Sequence, residues 1–79
     1  MFYTYILQSL NFPDQIYIGF TQDINHRLLE HNSGTSFHTS KFKPWKIIFF
    51  SAFETANQAI LFEKYLKSCS GRTFIKKHC

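Results

Sequence analysis

The sequence predicts an α/β fold of the α+β type, in which a three-stranded antiparallel sheet is flanked by two to three helices. Two short β-branched and aromatic segments lie on either side of a turn near the start, and a longer one follows residue 44. Apolar residues at helical spacing mark the segments after the second and third strands. The 79 residues have room for one domain, residues 1–79, whose ten Phe, four Tyr and one Trp supply an efficient core.

The first two strands are predicted over residues 2–8 and 15–19. Between them, Asn11-Phe12-Pro13-Asp14 supplies residues that favour a turn. Strands joined by so short a connection run antiparallel, because a parallel return needs a crossover of about a dozen residues or more. Gly19 ends the second strand, where a side chain would obstruct a neighbour or where a positive φ is needed.

The first helix is predicted over residues 23–33, with Asp23 at its N-terminal end and Gly34 just beyond its C-terminal end. A polar loop over residues 35–44 leads to the third strand, residues 45–53. Thr55 and Gln58 have the spacing of a capping box, which predicts a second helix from there to about residue 69. We expect Gly71 to break this helix and residues 73–77 to form a short third one.

Bulk features exclude several classes of protein. The longest apolar run covers only residues 47–50, whereas a membrane-spanning helix needs about 20 apolar residues. The N-terminus shows no secretion signal, so we expect a soluble, cytoplasmic protein that does not contact membranes. Cys69, His78 and Cys79 do not have the paired spacing of a structural zinc site, and we interpret the cysteines as reduced thiols.

Charge is distributed unevenly along the chain. After residue 40, eight basic residues face two acidic ones, which gives +6, whereas one basic and three acidic residues give the first part −2. Such asymmetry indicates a polyanionic partner, although a solvated surface would carry the same charges. The candidate nucleic-acid contacts are Arg27, Lys41, Lys43, Lys46, Lys64, Lys67 and Arg72.

Two residues of the first helix lie beside its apolar stripe. At about 100° per residue, Arg27 and His31 flank the stripe of Ile24 and Leu28 that faces the sheet. Their four-residue spacing lets both side chains converge on one ligand. The alternative is that the Arg27 stem packs while its charged group stays in water.

The second helix places a carboxylate on its apolar face. Glu63 falls between Ala59 and Leu66 at helical spacing, and an isolated carboxylate facing a core is unfavourable. Either Glu63 forms an ion pair, for which Arg27 is available, or it binds a cation at the edge of a cleft. Tyr5 and Tyr17 on the first two strands are open to two interpretations as well, because strand tyrosines often simply stack.

Taken in order, these residues resemble the GIY-YIG nuclease family, in particular its small single-domain bacterial members of the excinuclease C-like type. The resemblance covers the chain from Phe2 to about Ile75. It rests on Tyr5-Ile6-Leu7-Gln8-Ser9, Tyr17-Ile18-Gly19-Phe20-Thr21, Arg27-Leu28, Glu30-His31-Asn32, Pro44-Trp45-Lys46, Glu63-Lys64 and Leu66-Lys67.

The resemblance implies a metal-dependent endonuclease that hydrolyses DNA, branched or damaged DNA included, with a role in DNA repair. Tyr5 and Tyr17 would place hydroxyls beside the attacking water, and one would act as or assist the general base. Arg27 would hold the scissile phosphate, and His31 would relay the proton. Glu63 would bind one divalent cation, Mg²⁺ or Mn²⁺. A tyrosine has a pKa near 10, so nearby positive charge from Arg27 and the metal is needed to favour the phenolate.

The chain departs from the family pattern at two places. Many relatives have Arg immediately before the metal-binding Glu, where this chain has Phe62, and no Asn near the C-terminus matches the one that some relatives use. His38 lies where some relatives have a further active-site histidine. Two other functions stay open: a nucleic-acid-binding module that keeps the fold without cutting, and a protein-interaction domain that uses exposed aromatic residues.

Overall fold

The computed structural model describes residues 1–35 and 38–79. Strands β1 (Phe2–Ser9), β2 (Ile16–Thr21) and β3 (Trp45–Phe53) form one sheet in the order β2-β1-β3, and both pairings are antiparallel. The helices are α1 (Ile24–Ser33), α2 (Ala56–Leu66) and α3 (Cys69–His78). A turn of 3₁₀ helix, Ser40–Phe42, lies within the loop before β3. The predicted α+β fold with its three-stranded antiparallel sheet is confirmed.

One face of the sheet packs against α1. Side chains alternate along a strand, so Tyr3, Tyr5 and Leu7 of the central strand point to the same side. Tyr5 and Leu7 form a buried cluster with Trp45 of β3. The apolar residues of α1 and its surroundings that pack against this cluster are Tyr17, Ile24, Leu28, Phe42 and Ile47.

The opposite face packs against α2 and α3. The buried Thr4 hydroxyl donates a 2.6 Å hydrogen bond to the carbonyl oxygen of Ala59, which anchors α2 to β1. Three phenylalanines from β3, α2 and α3 then pack together, since the ring centroids of Phe49, Phe62 and Phe74 lie 5.5–6.2 Å apart. The sheet is therefore covered by one helix on one side and by two on the other.

The predicted helix ends are mostly confirmed. The Asp23 side chain accepts from the backbone N–H of His26 at the start of α1, and Gly34 ends the helix with a left-handed φ of 83°. Both hydrogen bonds of the capping box between Thr55 and Gln58 are present. These local motifs satisfy backbone groups that have no partner within the helix.

The predicted boundary between α2 and α3 is wrong. Helix α2 ends at Leu66, not near residue 69, and α3 begins at Cys69, not at Thr73. Gly71 does not break a helix, because it lies in the first turn of α3 and its N–H donates to the Ser68 hydroxyl. Ser68 is thus the N-cap that separates the two helices, a role that serine favours.

Two further features concern the cysteines and the length of the helices. Cys69 and Cys79 are both free and exposed. Within residues 1–35 and 38–79, no helix is long and apolar enough to cross a membrane.

Gly71 generates the first prediction. A Cβ at this position would overlap the carbonyl oxygen of Tyr65 and the backbone of Leu66, where α3 approaches α2 closely. We expect Gly71→Ala to lower the free energy of unfolding by about 1–3 kcal/mol, as overpacking does. The same change in an ordinary exposed helix raises stability by about 1 kcal/mol. Urea unfolding of the variant measures the difference.

The matched control is Ser70→Ala, which removes an exposed hydroxyl from the same helical turn without adding an atom near α2. Its stability should stay close to that of the wild type. A Gly71→Ala variant as stable as the wild type would contradict the close approach of the two helices.

Candidate active site

Tyr5 lies at the centre of the site, in the middle of the central strand. Its side chain is 1% exposed, and its hydroxyl shares a 3.1 Å hydrogen bond with Nε2 of His31. A buried hydroxyl without a partner would be strongly unfavourable. Helix α1 therefore brings His31 to Tyr5 across 26 residues of sequence.

His31 continues the hydrogen bonding away from the sheet. The ring is fully buried, and its Nδ1 shares a 2.8 Å hydrogen bond with the Thr39 hydroxyl. A neutral imidazole has one N–H donor and one acceptor nitrogen. Either Tyr5 donates to Nε2 while Nδ1 donates to Thr39, or both bonds run in the opposite direction. In both arrangements every member of the chain Tyr5–His31–Thr39 is satisfied.

Thr39 is a site residue that the sequence did not single out. It is 2% exposed in the loop before β3, and its carbonyl oxygen accepts a 2.9 Å hydrogen bond from Nε1 of Trp45. Trp45 thereby fixes the loop at the position where it meets His31. The sequence offers only an indirect signal for Thr39. A histidine that faces the core needs a hydrogen-bond partner for each ring nitrogen, and a nearby hydroxyl can be one of them. The neighbouring His38 is exposed.

Tyr17 lies next to Tyr5 on β2 and is less buried. Its ring centroid is 4.8 Å from that of His31 and 6.3 Å from that of Tyr5. Gly19 faces both rings, and a Cβ there would lie 2.5 Å from the Tyr5 hydroxyl oxygen and 2.9 Å from a carbon of Tyr17. Of the two reasons predicted for Gly19, lack of space is the correct one, since its φ is not positive.

The electrostatic environment keeps Tyr5 neutral. Burial raises the pKa of its hydroxyl to about 12, and the negative charges that Tyr17 and Glu63 can carry act in the same direction. The nearby guanidinium of Arg27 opposes this shift, and its role in forming a phenolate stays a prediction. Burial nevertheless outweighs Arg27, and further positive charge is needed before a phenolate forms near neutral pH.

Arg27 connects Tyr5 to the outer part of the site. Its side chain is 38% exposed, and its Nη1 donates to Oε1 of Glu30 at 3.3 Å. The interactions with Tyr5 and then with Glu30 raise the pKa of the guanidinium, which stays charged. The charged group is therefore held near Tyr5 and remains accessible to a ligand.

Glu63 has a different partner from the one that the sequence left open. Its Oε2 accepts from Nζ of Lys67, one turn further along α2, at 3.2 Å. Arg27 is not that partner, because it pairs with Glu30. The Glu63 side chain is 22% exposed and that of Lys67 is 56% exposed. Such a pair contributes at most about 1 kcal/mol, so the carboxylate is open to exchange for another cation.

The donor chemistry at Glu63 fits a hydrated divalent cation. Within residues 1–35 and 38–79, no three His, Cys, Asp or Glu side chains form a cluster that could hold a metal ion. A single accessible carboxylate is nevertheless sufficient for Mg²⁺, which often keeps several waters and binds one or two carboxylates together with substrate phosphates. Among the described residues that shift the pKa of Tyr5, Glu63 is the one carboxylate, and its contribution is the weakest.

Phe62 explains one departure from the expected motif. Its ring packs against Phe49 and Phe74 and lies 5.6 Å, centroid to centroid, from Phe53. This position faces the sheet rather than the site. An arginine here would displace part of the aromatic core, so the phosphate contact that many relatives place before the glutamate is not available.

The other predicted nucleic-acid contacts are exposed at two places on the surface. One group lies in the loop before β3 and at the start of that strand, and the other on α2, after it and on α3. The members are Lys41, Lys43, Lys46, Lys64, Lys67 and Arg72. Their exposure is compatible with contacts to phosphates, and their role stays a prediction.

The molecule is an α+β domain with a tyrosine-bearing antiparallel sheet, an Arg-His helix face and a glutamate on the following long helix. Residues 1–77 match the GIY-YIG catalytic domain, and the chain belongs to the GIY-YIG family of nuclease domains. The resemblance to the GIY-YIG family that the sequence showed is confirmed.

The chain is similar to two relatives of different length. The chain is 34% identical over 65 residues to the structure-specific endonuclease subunit SLX1 homolog of Giardia intestinalis. This match covers 77% of the chain but only 18% of that protein, so the chain corresponds to a small part of its length. The chain is also 31% identical over 67 residues to a UPF0213 protein of Haloquadratum walsbyi, covering 84% of the chain and 73% of that protein.

The buried histidine generates a pH prediction. Burial first, and the charge of Arg27 second, lower the pKa of His31 from its ordinary value of 6.5, and Glu30 opposes them only in part. Below about pH 6.5 the unfolded chain therefore binds a proton that the folded protein resists. We expect stability to fall as the pH drops from about 7.5 to 5.5, and to fall less in His31→Gln.

The unfolding free energy at several pH values measures this effect. His26→Gln is the control, because His26 is an exposed histidine on the same helix and its removal should leave the loss caused by His31 in place. An NMR titration of His31 in the wild type gives a second measurement. A midpoint at or above pH 6.5 would contradict a buried, neutral ring.

Proposed function

We propose that the protein is a metal-dependent endonuclease that hydrolyses phosphodiester bonds of DNA. The observation that carries the proposal is the convergence of Tyr5, Tyr17, Arg27 and His31 on one face of the sheet, with the charge of Glu63 acting on Tyr5. Membership of the GIY-YIG family and the likeness to a structure-specific endonuclease subunit support it.

The two tyrosines have different roles with respect to the attacking water. Tyr17 is partly exposed and can contact a water molecule, whereas Tyr5 is almost fully buried behind it. Tyr17 therefore orients the water and takes part in removing its proton. Tyr5 holds its neighbour's ring in place and connects the site to His31.

Arg27 binds the scissile phosphate. Its guanidinium is permanently charged and presents several N–H donors in a plane, a geometry that suits phosphate oxygens. Glu30 and Tyr5 hold it in position before a substrate arrives. The negative charge that develops on the phosphate during attack then meets a charge that is already in place.

The buried chain of hydroxyl, imidazole and hydroxyl gives a proton a path away from the site. For both hydrogen bonds around His31 to reverse, Tyr5 passes its proton to Nε2 and takes up one from the site, while Nδ1 passes its proton to the Thr39 hydroxyl, which gives up its own outward. Because the pKa of His31 is lowered, the ring is neutral near pH 7, and it can pass a proton on only by taking one at one nitrogen as it gives one up at the other. This is the relay role that we assign to His31.

Glu63 would hold the divalent cation, Mg²⁺ or Mn²⁺, once the carboxylate is released from Lys67. A bound cation would neutralise phosphate charge, stabilise the leaving oxygen and add the positive charge that a tyrosine phenolate requires. Lys67 would then be free for a phosphate of the same strand.

Binding is expected to depend mainly on the DNA backbone. The exposed lysines can neutralise phosphates, and each such contact makes affinity more sensitive to salt without reading sequence. Branched or damaged DNA is the proposed substrate, in keeping with the structure-specific endonuclease that the Giardia relative belongs to.

A non-catalytic nucleic-acid-binding module is the second candidate. The raised pKa of Tyr5 and the pairing of Glu63 with Lys67 favour it, because both weaken the chemistry until a cation binds. The basic surface would be retained under this alternative.

A plasmid-nicking assay tests the enzyme. We expect nicking that requires Mg²⁺ or Mn²⁺, stops when the metal is chelated, and falls roughly 100-fold or more in Glu63→Gln, as is typical when an electrostatic stabiliser of the transition state is lost. Thermal unfolding should change little, because the exposed ion pair with Lys67 contributes little stability.

Glu54→Gln is the matched control, since Glu54 is an exposed glutamate just before α2. It should nick DNA as the wild type does. Equal nicking by Glu63→Gln would exclude the metal role of that carboxylate. Metal-independent binding by the wild type without cleavage of plasmid or branched DNA would favour the binding module.

A further inference from the structure

Phe50 is an exposed aromatic residue on β3, the strand that pairs with the Tyr5 strand on the side away from Gly19. It is the register partner of Tyr5 across the β1–β3 pairing, and its side chain is 54% exposed. Its ring meets that of Tyr3 edge to face, with the centroids 6.2 Å apart. Tyr3 and Tyr5 lie on the same face of β1, so Phe50 shares the face that carries the site.

The position of Phe50 contrasts with that of its neighbour. Phe49 points to the opposite face and packs against α2 and α3. Phe50 instead leaves half of its surface in water, although burying a phenylalanine would contribute about 1.5–3 kcal/mol. An aromatic surface next to a phosphate-binding arginine is the combination that proteins use to bind single-stranded nucleic acid.

We propose that Tyr3 and Phe50 form a stacking site for an unpaired nucleobase near the scissile phosphate. This inference rests on the proposed nuclease function and specifies its substrate as DNA with an unpaired nucleotide near the cleaved bond. Adjacent strands lie about 4.8 Å apart, and nucleotides of one strand about 3.4 Å apart along the helix axis. Phe50 is thus one strand away from Tyr5 at the backbone, and the stacked base would lie a few nucleotides from a phosphate at Arg27.

Base pairing decides which DNA can use this site. A base inside a duplex is stacked on both of its faces, so neither face can contact the Phe50 ring. An unpaired base has a free face, and stacking on an aromatic side chain accepts any base. Tyr3 and Phe50 would therefore distinguish unpaired from paired DNA without reading the base sequence.

Charge favours DNA over a second copy of the chain as the occupant. The protein carries a formal net charge of +4, so two copies repel each other, whereas a polyanion is attracted. The accessible guanidinium of Arg27, which acts on Tyr5, supplies a cation to the same site.

Fluorescence anisotropy with the intact protein tests the site. The probes are a labelled single strand and a labelled duplex of the same sequence, both with the metal chelated so that no cleavage occurs. We expect Phe50→Ala to weaken binding of the single strand by at least about fivefold, the lower end of the loss for one stacked base. Duplex binding should change less than about twofold, and Phe50→Trp should restore single-strand binding.

Leu61→Ala is the control for loss of an exposed apolar side chain, because Leu61 is 63% exposed on α2, which packs on the opposite face. It should bind both probes as the wild type does. Equal single-strand binding by Phe50→Ala and the wild type would overturn the stacking site. A parallel loss of duplex binding would overturn it too, since an effect on both probes is not stacking of a free base.

The two proposals fail in different ways. Phe50-dependent binding without any nicking under Mg²⁺ or Mn²⁺ would overturn the nuclease and leave the stacking site standing. Nicking that requires Glu63 but is equally fast for duplex and partly single-stranded DNA, in the wild type and in Phe50→Ala alike, would overturn the stacking site and leave the nuclease standing.

Discussion

A phenol hydroxyl buried in the central strand must have a hydrogen-bond partner, and much of the molecule is arranged around that requirement. His31 provides the partner, which fixes the orientation of α1 against the sheet. The second ring nitrogen needs Thr39, so the loop before β3 must close over the helix, and the Trp45 indole holds it there. The absence of a side chain at Gly19 leaves room for both tyrosine rings. One polar group in an apolar environment thus links both neighbouring strands, one helix and one loop.

The same arrangement explains why the site has neutral groups in its interior and charged groups near its surface. Burial raises the pKa of Tyr5 and lowers that of His31, so the inner part of the site is neutral at physiological pH. The charged groups, Arg27 and Glu63, lie further out and are each held by an exposed partner, Glu30 and Lys67. Weak surface pairs are easily exchanged for a phosphate or a cation. The interior therefore fixes the geometry, whereas Arg27 and Glu63 are the groups that can exchange partners.

Much of this could be predicted from the sequence because it depends on local patterns. Strand composition, the caps at Asp23 and Thr55, and the helical spacing of Arg27 and His31 act over a few residues. Thr39 could not be predicted, because its role arises only when a loop closes over a helix. Gly71 was misjudged, since the close approach of α3 to α2 demands a glycine inside a helix. The catalytic roles are a different matter, because they concern bound states and stay predictions.

The strand order β2-β1-β3 has a consequence for the growing polypeptide. β1 is synthesised first yet occupies the middle of the sheet, and its second neighbour begins only at Trp45. When the first hairpin and α1 have left the ribosome, β3 has not yet followed. One edge of β1 is therefore exposed to the solvent. The helices over the opposite face follow later still, at Ala56 and Cys69. The nascent chain must pass through an interval in which an unpaired strand edge is open to foreign strands, the situation in which cells rely on chaperones.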